Sequence, residues 1–349
     1  MNSENLTIFF LSSIIVMTLI LPFSVKKVEE EIEAFLLIMG ISAVSISNLW
    51  SKHLVLEALK EPLPITITVF VMGILLKIFR KKIIDFMDRI VDKYSHRLIV
   101  FITVFIIGLT SSITTAIISA ILLSEFINIL KFQKNYEIKL TVLGCFAIGF
   151  GAILTPVGEP LSTIIVSKLK GEPHNADFFY MFKKFWIWII PFILIISHIA
   201  SKDVNKYKEI KNTLSEKEIE TYKTVVYRAF KVYIFVMALV FLGNGLKPFT
   251  ERFITGLKPE LLYWINIISA ILDNATLASA QIVPTLTERQ ITFIVMGLII
   301  SGGMLIPGNI PNIICASKLN IKSKQWAKYG IGYGAPIMIV YFLLLYFFA

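Results

Sequence analysis

Gly158-Glu159-Pro160-Leu161-Ser162-Thr163-Ile164-Ile165-Val166-Ser167-Lys168-Leu169 and Gly308-Asn309-Ile310-Pro311-Asn312-Ile313-Ile314-Cys315-Ala316-Ser317-Lys318-Leu319 are two copies of one segment. They stand 150 residues apart without a gap and agree at five positions: Gly, Ile, Ser, Lys and Leu. Each breaks an apolar stretch with glycine and proline. Such a break frees backbone N–H and C=O groups, which a membrane tolerates only where they face protein or a polar cavity. A duplicated, interrupted apolar segment points to the binding site of an inverted-repeat membrane protein.

The surrounding composition agrees. The chain has 349 residues, 56% of them hydrophobic, and a mean hydropathy of +0.75. Apolar runs recur along its whole length, so the expected class is an all-α polytopic membrane protein. The net charge of +10 lies in loops between spans, the positive-inside pattern, and does not point to nucleic acid. The apolar run Leu6–Val25 lacks a basic leader and a small-residue cleavage site, so it is read as a retained span. Cys145 and Cys315 sit in apolar segments and read as small buried hydrophobes. His53, His96, His174 and His198 are scattered and read as interfacial or solvated groups.

Outward from the breaks, a larger repeat emerges. Leu98–Ile129 is too long for one simple span and carries Thr110-Ser111-Ser112-Ile113-Thr114-Thr115 at its middle, so it is expected to fold as a re-entrant hairpin. Leu261–Pro284 is its counterpart, with Ser111-Ser112-Ile113-Thr114-Thr115-Ala116 set over Asp273-Asn274-Ala275-Thr276-Leu277-Ala278. That register makes the linker from hairpin to break 12 residues shorter in the second copy. Each copy then ends in a full span, Phe178–Ala200 and Trp326–Phe348.

The expected organisation is four segments. Residues 1–96 form scaffold spans (Leu6–Val25, Ile32–Trp50, Leu63–Ile78) and an interfacial amphipathic stretch, Lys81–Ser95, whose alternative is a solvated extension of the third span. Residues 97–200 are repeat one. Residues 201–260 hold a polar loop (Ser201–Thr224), a scaffold span (Val225–Leu242) and an outer connection. Residues 261–349 are repeat two. With the first hairpin entering from the cytoplasm, 24 of the 34 Lys and Arg fall inside. Both termini then lie outside, the two copies are inverted, and Lys168 and Lys318 lie at span ends.

Four interrupted tips are expected to converge near the midplane: Thr110–Thr115, Thr155–Pro160, Asp273–Thr276 and Pro307–Asn312. Ser111, Ser112, Thr114, Thr155, Asn274, Thr276, Asn309 and Asn312 supply neutral oxygen or amide ligands. Gly158 and Gly308 permit the turns, and Pro160 and Pro311 remove a donor that an interrupted ladder could not use. Asp273 sits among apolar neighbours, where a charge costs ~2.5–3.5 kcal/mol on insertion scales and marks a functional group by default. Its plain alternative is a cap on its own half-helix. Glu159, at the other break, has as its alternative a favourable dipole position. Burial raises a carboxylate's proton affinity and a bound cation lowers it, so Na⁺ and H⁺ can compete for one group. Na⁺ at Asp273, Asn274 and Glu159 is therefore the expected metal site. Gly149 and Gly151 read as close-packing positions. Gly330-Ile331-Gly332-Tyr333-Gly334 echoes a potassium-filter string but opens a plain final span, with none of the fourfold loops a filter needs. No P-loop, H-E-x-x-H or G-x-S-x-G string occurs, so no enzyme is expected and no cofactor beyond transported or coupling ions.

At Ser111–Ala116, Thr155–Pro160, Ile268–Asn274 and Pro307–Asn312 the chain resembles the ion transporter superfamily. That group includes NhaD-type sodium/proton antiporters, arsenite efflux permeases and divalent-anion symporters. The resemblance covers roughly residues 97–349. The stretch Ile268-Ser269-Ala270-Ile271-Leu272-Asp273-Asn274 is similar to the NhaD-type second hairpin, where an Asp-Asn pair follows a Ser-Ala-hydrophobic run. Glu159 departs from the broad pattern, which has a small polar residue there, and the S-N-T triplet of carboxylate symporters is absent from both tips. The chain also resembles a group of predicted cation transporters of the DUF1646 type. The resemblance implies a homodimer with a moving transport domain in the plasma membrane. The leading expectation is a Na⁺/H⁺ antiporter; the alternatives are a Na⁺- or H⁺-coupled anion carrier, a channel and a membrane-embedded enzyme. An intramembrane aspartyl protease would need two aspartates in spans, and only Asp273 is so placed.

Overall fold

A computed structural model describes residues 3–130, 132–202, 204, 222–249, 257–272 and 274–348. Among the described residues the regular elements are all helices, six of them long and apolar enough to cross a membrane. The polar loop after Ser201 falls mostly outside the described residues, and so does Asp273.

The first part builds a scaffold. α1 (Ser3–Ser24) has 22 residues, enough to rise about 33 Å through a hydrocarbon core of about 30 Å. A short α2 (Lys26–Glu30) leads to α3 (Ile32–Ile46), and Ser51 caps α4 (Lys52–Lys60) by accepting the Leu54 N–H at 3.0 Å. α5 runs unbroken from Pro62 to Lys93. This corrects the expectation of a separate interfacial helix over Lys81–Ser95. No glycine or proline interrupts that stretch, so the third span's hydrogen-bond ladder continues through it. α11 (Tyr222–Gly245) packs along α3 and α5 and completes the scaffold.

Two similar sets of elements follow. In the first, α6 (His96–Thr114) and α7 (Ala116–Leu130) are joined by Thr115 alone and pack back on each other as a hairpin. α8 (Lys134–Ala152) and α9 (Pro160–Lys168) are the halves of the first broken helix, and α10 (Tyr180–Ser201) closes the set. In the second, α12 (Pro259–Ile265) tightens into a 3₁₀ turn over Asn266–Ala270 before α13 (Asn274–Gln281). α14 (Glu288–Gly302), a 3₁₀ turn at Ile306–Gly308 and α15 (Ile310–Leu319) form the second broken helix, and α16 (Ser323–Phe348) ends the chain. Each hairpin packs on its own broken helix. Its second arm also packs on the other copy's distal half-helix, α7 on α15 and α13 on α9. That exchange is what a two-fold relation between copies produces.

α8 and α14 are buried on every side, which is why their sequences are apolar all round. The side chains that project outward are also apolar, for example Ile106, Ile187, Ile195, Ile339 and Phe347, as a lipid-facing surface requires. Buried tyrosines tie the layers together by satisfying their hydroxyls: Tyr136 donates to the Ala200 carbonyl at 2.6 Å, Tyr263 to Met338 at 2.7 Å and Tyr341 to Trp188 at 2.6 Å. Gly330, in the filter-like string, lies within α16, where an added Cβ would overlap the Met304 carbonyl; the string packs the last helix against the second break.

Candidate functional site

The first break is tied to the first hairpin through main-chain groups. The Ala116 N–H donates to the Gly158 carbonyl at 2.8 Å, and the Thr155 hydroxyl donates to the Ser112 carbonyl. Ser111 Oγ donates to the carbonyls of Gly108 at 2.6 Å and Ile148 at 3.0 Å. Ser112 Oγ donates to Leu109 at 2.9 Å and Thr114 Oγ1 to Thr110 at 3.0 Å. Ser162 Oγ closes the break by donating to the Thr155 carbonyl at 2.7 Å. Glu159 is buried at the N-terminus of α9, in extended backbone and just before Pro160, and its side chain makes no capping bond.

These bonds have one chemical consequence. A hydroxyl has a single proton; Ser111, Ser112 and Thr155 spend theirs on carbonyls, and Thr114 lies within reach of both the Thr110 carbonyl and the Ser119 hydroxyl at 2.9 Å. What Ser111, Ser112 and Thr155 can still offer a ligand is lone pairs.

The second break uses amides. Asn312 Nδ2 donates to the carbonyls of Gly302 at 2.8 Å and Leu305 at 2.9 Å, and its buried Oδ1 has no hydrogen-bond partner. Asn274, at the start of α13, is buried with an unsatisfied Nδ2. Both converge on Gly302, where an added Cβ would stand 3.0 Å from the Gly308 carbonyl oxygen, 3.3 Å from Asn274 Nδ2 and 3.6 Å from Ser269 Oγ. Asn309 is buried near Gly149, with Nδ2 3.1 Å from the place of a Cβ there. Pro307, Gly308 and Pro311 are buried at the same break, while Pro160 is exposed at the first. Thr276 lies on the backbone of α13. Asp273 and the Thr276 side chain are outside the described residues, so the sodium site expected at Asp273, Asn274 and Glu159 is described only for the last two.

The structure corrects the register of the hairpins. Ser111 Oγ reaches the Ile148 carbonyl, and Ser269 Oγ reaches the Leu298 carbonyl at 3.3 Å, 150 residues on. Gly151 abuts the Gly108 carbonyl, and Ser301 Oγ donates to the Asn266 carbonyl at 2.6 Å. α7 begins at Ala116 and α13 at Asn274. All three pairs set the hairpin offset at 158, not 162, so Ser111 matches Ser269 and the linker is shorter by eight residues. In this register residue 273 corresponds to Thr115, the hinge of the first hairpin, which has a φ of 73°. The sequence register followed the polar runs, setting Ser111-Ser112 over Asp273-Asn274, whereas the contacts with each broken helix set Ser111 over Ser269.

The two tips also differ in exposure. Ile113 is 74% exposed, and its counterpart Ile271 is 3% exposed. Val157 is exposed, and its counterpart Pro307 is buried. A small crevice over the second break is lined by Thr18 and Pro22 of α1, Ile271, Leu305, Pro307 and Ser323. α1 therefore covers the second tip from the scaffold side.

One charged pair was not legible in the sequence. Lys318 Nζ lies 2.7 Å from Glu125 Oε2, with side-chain exposures of 4% and 8%. Lys318 therefore lies within the protein, linking α15 to α7, and not in a solvated loop at a span end. Beside it, Lys134 bonds Glu137 Oε1 at 2.6 Å and the Leu319 carbonyl at 2.7 Å. Only the isolated glutamate inside the apolar run Ala116–Leu130 could have signalled the pair. Cys145 and Cys315 are buried free thiols, as expected. Among the described residues no cluster of three or more His, Cys, Asp or Glu could hold a metal ion.

Packed helices, two interrupted copies and a lipid-facing apolar exterior define an all-α polytopic membrane protein. Within that class, residues 8–348 match the family described as "Protein of unknown function (DUF1646)", and the chain belongs to it. No curated protein matches the chain.

Proposed function

We propose that this protein is a secondary active transporter that exchanges a monovalent cation, Na⁺ foremost, for H⁺ by alternating access. The supporting observation is the first break, where the Ser111, Ser112 and Thr155 hydroxyls donate to carbonyls and keep their lone pairs, in the copy that also carries the buried Glu159. Lone pairs and a carboxylate suit a cation or a proton and repel an anion. The uneven exposure of matched tips supports alternating access, because one state of an inverted repeat opens beside one copy and the other state beside the other. On this reading the family lies within the ion transporter superfamily, and the protein is a homodimer in the plasma membrane with both termini outside.

A second reading, a Na⁺- or H⁺-coupled anion carrier, draws on one observation. Asn274 presents an unsatisfied N–H donor at the N-terminus of α13, the end of a helix that attracts negative charge.

Proteoliposomes holding a pH-sensitive dye and an imposed proton gradient separate the two. Na⁺ or Li⁺ should collapse the gradient, and both Asp273→Asn and Glu159→Gln should abolish that collapse while the protein stays folded. Unchanged exchange in both variants removes the carboxylates from the mechanism. Uptake of a labelled anion with no response to cations replaces the leading reading with the second.

A further inference from the structure

Loop 169–179, which joins α9 to α10, folds His174 inward until its side chain is only 4% exposed. Nδ1 lies 2.7 Å from Glu288 Oε1, and Nε2 lies 3.1 Å from the Pro284 carbonyl oxygen. A carboxylate and a carbonyl both only accept. A neutral imidazole has one N–H and can serve one of them; the imidazolium has two and serves both. Turning the ring over would set carbon atoms against both oxygens, so the choice of ring orientation does not alter this.

The groups that face the ring come from two elements. Glu288 is the first residue of α14. From α10, Lys184 bonds Glu288 Oε2, and the Tyr180 hydroxyl donates to Glu288 at 3.1 Å. Asp177, on the same loop as His174, is engaged by Lys183 at 2.6 Å, and that ammonium holds its carboxyl below the usual range. Among the described residues Glu288 is thus the one carboxylate bonded to His174, and the bonds cross between copies: loop 169–179 belongs to the first, Pro284 and Glu288 to the second.

We propose that His174 is a proton-controlled clasp between the two copies. With the ring doubly protonated the clasp is closed. Loss of either N–H proton leaves an acceptor facing a lone pair, and the clasp opens. A proton held in the closed state favours that state, so raising the pH weakens the clasp. The connection it holds, residues 282–287, follows α13, which begins at Asn274. Opening therefore loosens the second hairpin beside the candidate site. The clasp rests on the hydrogen-bonding capacity of its groups and stands without the transport reading.

Hydrogen–deuterium exchange on the full chain in nanodiscs tests it, with rates corrected for intrinsic pH dependence. The reporters are the Asn175 and Ala176 amides, which bond the Gly171 carbonyl at 2.8 Å and the Leu169 carbonyl at 2.9 Å. Between about pH 5.5 and about pH 8.5, on either side of the ordinary histidine range, protection in the unaltered protein should fall about tenfold, the order set by one charge-assisted hydrogen bond. His174→Ala should show the low value at both pH values, and His174→Arg, charged throughout, should keep its value. Equal protection at both pH values in the unaltered protein overturns the proposal, as does a pH-dependent fall that survives in His174→Ala. If both variants fail to fold, nitrogen-15 spectra of the unaltered protein decide: a singly protonated His174 at the lower pH overturns the clasp.

Discussion

Gly151 shows how tightly the hairpin and the broken helix are set together. An added Cβ would overlap the Gly108 carbonyl and stand 2.7 Å from Ser111 Oγ. Both atoms are fixed in helices, so neither can yield. Gly151→Ala should therefore destabilise the protein by about 1–3 kcal/mol, read as a lower Tm in detergent. The matched position in the second copy is Ser301, whose hydroxyl donates to the Asn266 carbonyl. A hydrogen bond there spans the gap that direct backbone contact closes in the first copy. A Gly151→Ala protein that melts unchanged would mean that α6 and α8 do not meet at this point.

At the scale of elements, the Glu125–Lys318 pair is the one charged link between α7 and α15. Two charges withdrawn from water cost more than their attraction returns unless the geometry is good, and removing one partner strands the other. Lys318→Met alone should cost about 3–5 kcal/mol. The double variant Glu125→Met with Lys318→Met should recover most of that loss, because no lone charge is left inside. Thermal unfolding of the two single variants, the double variant and the unaltered protein checks this. Single and double variants that melt alike would show that the pair is solvated. The first copy has Lys168 at the matched position, where it is exposed.

At the scale of the molecule, the contrast between Ile113 and Ile271 has a direct test. Ile113→Cys should react readily with a membrane-impermeant maleimide from one side, and Ile271→Cys slowly. Transport conditions that populate the opposite state should reverse that order, in keeping with two copies exchanging roles. Two rates that stay in the same order under every ion and pH condition would leave the exposure difference as a fixed feature of the scaffold. α1 contributes to the difference in this structure, since its Thr18 and Pro22 line the crevice over the second tip together with Ile271.

The sequence alone determined the class, the helical spans and the paired breaks, because these depend on hydropathy, glycine and proline, which act locally. Thr115, the hinge of the first hairpin, falls at the end of the polar run that marked it. Asn274 and Asn312, candidates for the same reason, lie at the start of α13 and in the first turn of α15. Register, pairing and exposure belonged to the tertiary structure. The four-residue shift that matches Ser111 to Ser269 shows only in the carbonyls each reaches on its own broken helix, Ile148 and Leu298. The charge on Lys318 looked like one more basic residue at a span end until α7 brought Glu125 to it. His174 looked like a solvated loop residue until α14 set Glu288 against one nitrogen and the Pro284 carbonyl met the other. These contacts join residues 110 to 193 positions apart. No local pattern records such a distance, because what fixes it is the packing of whole helices.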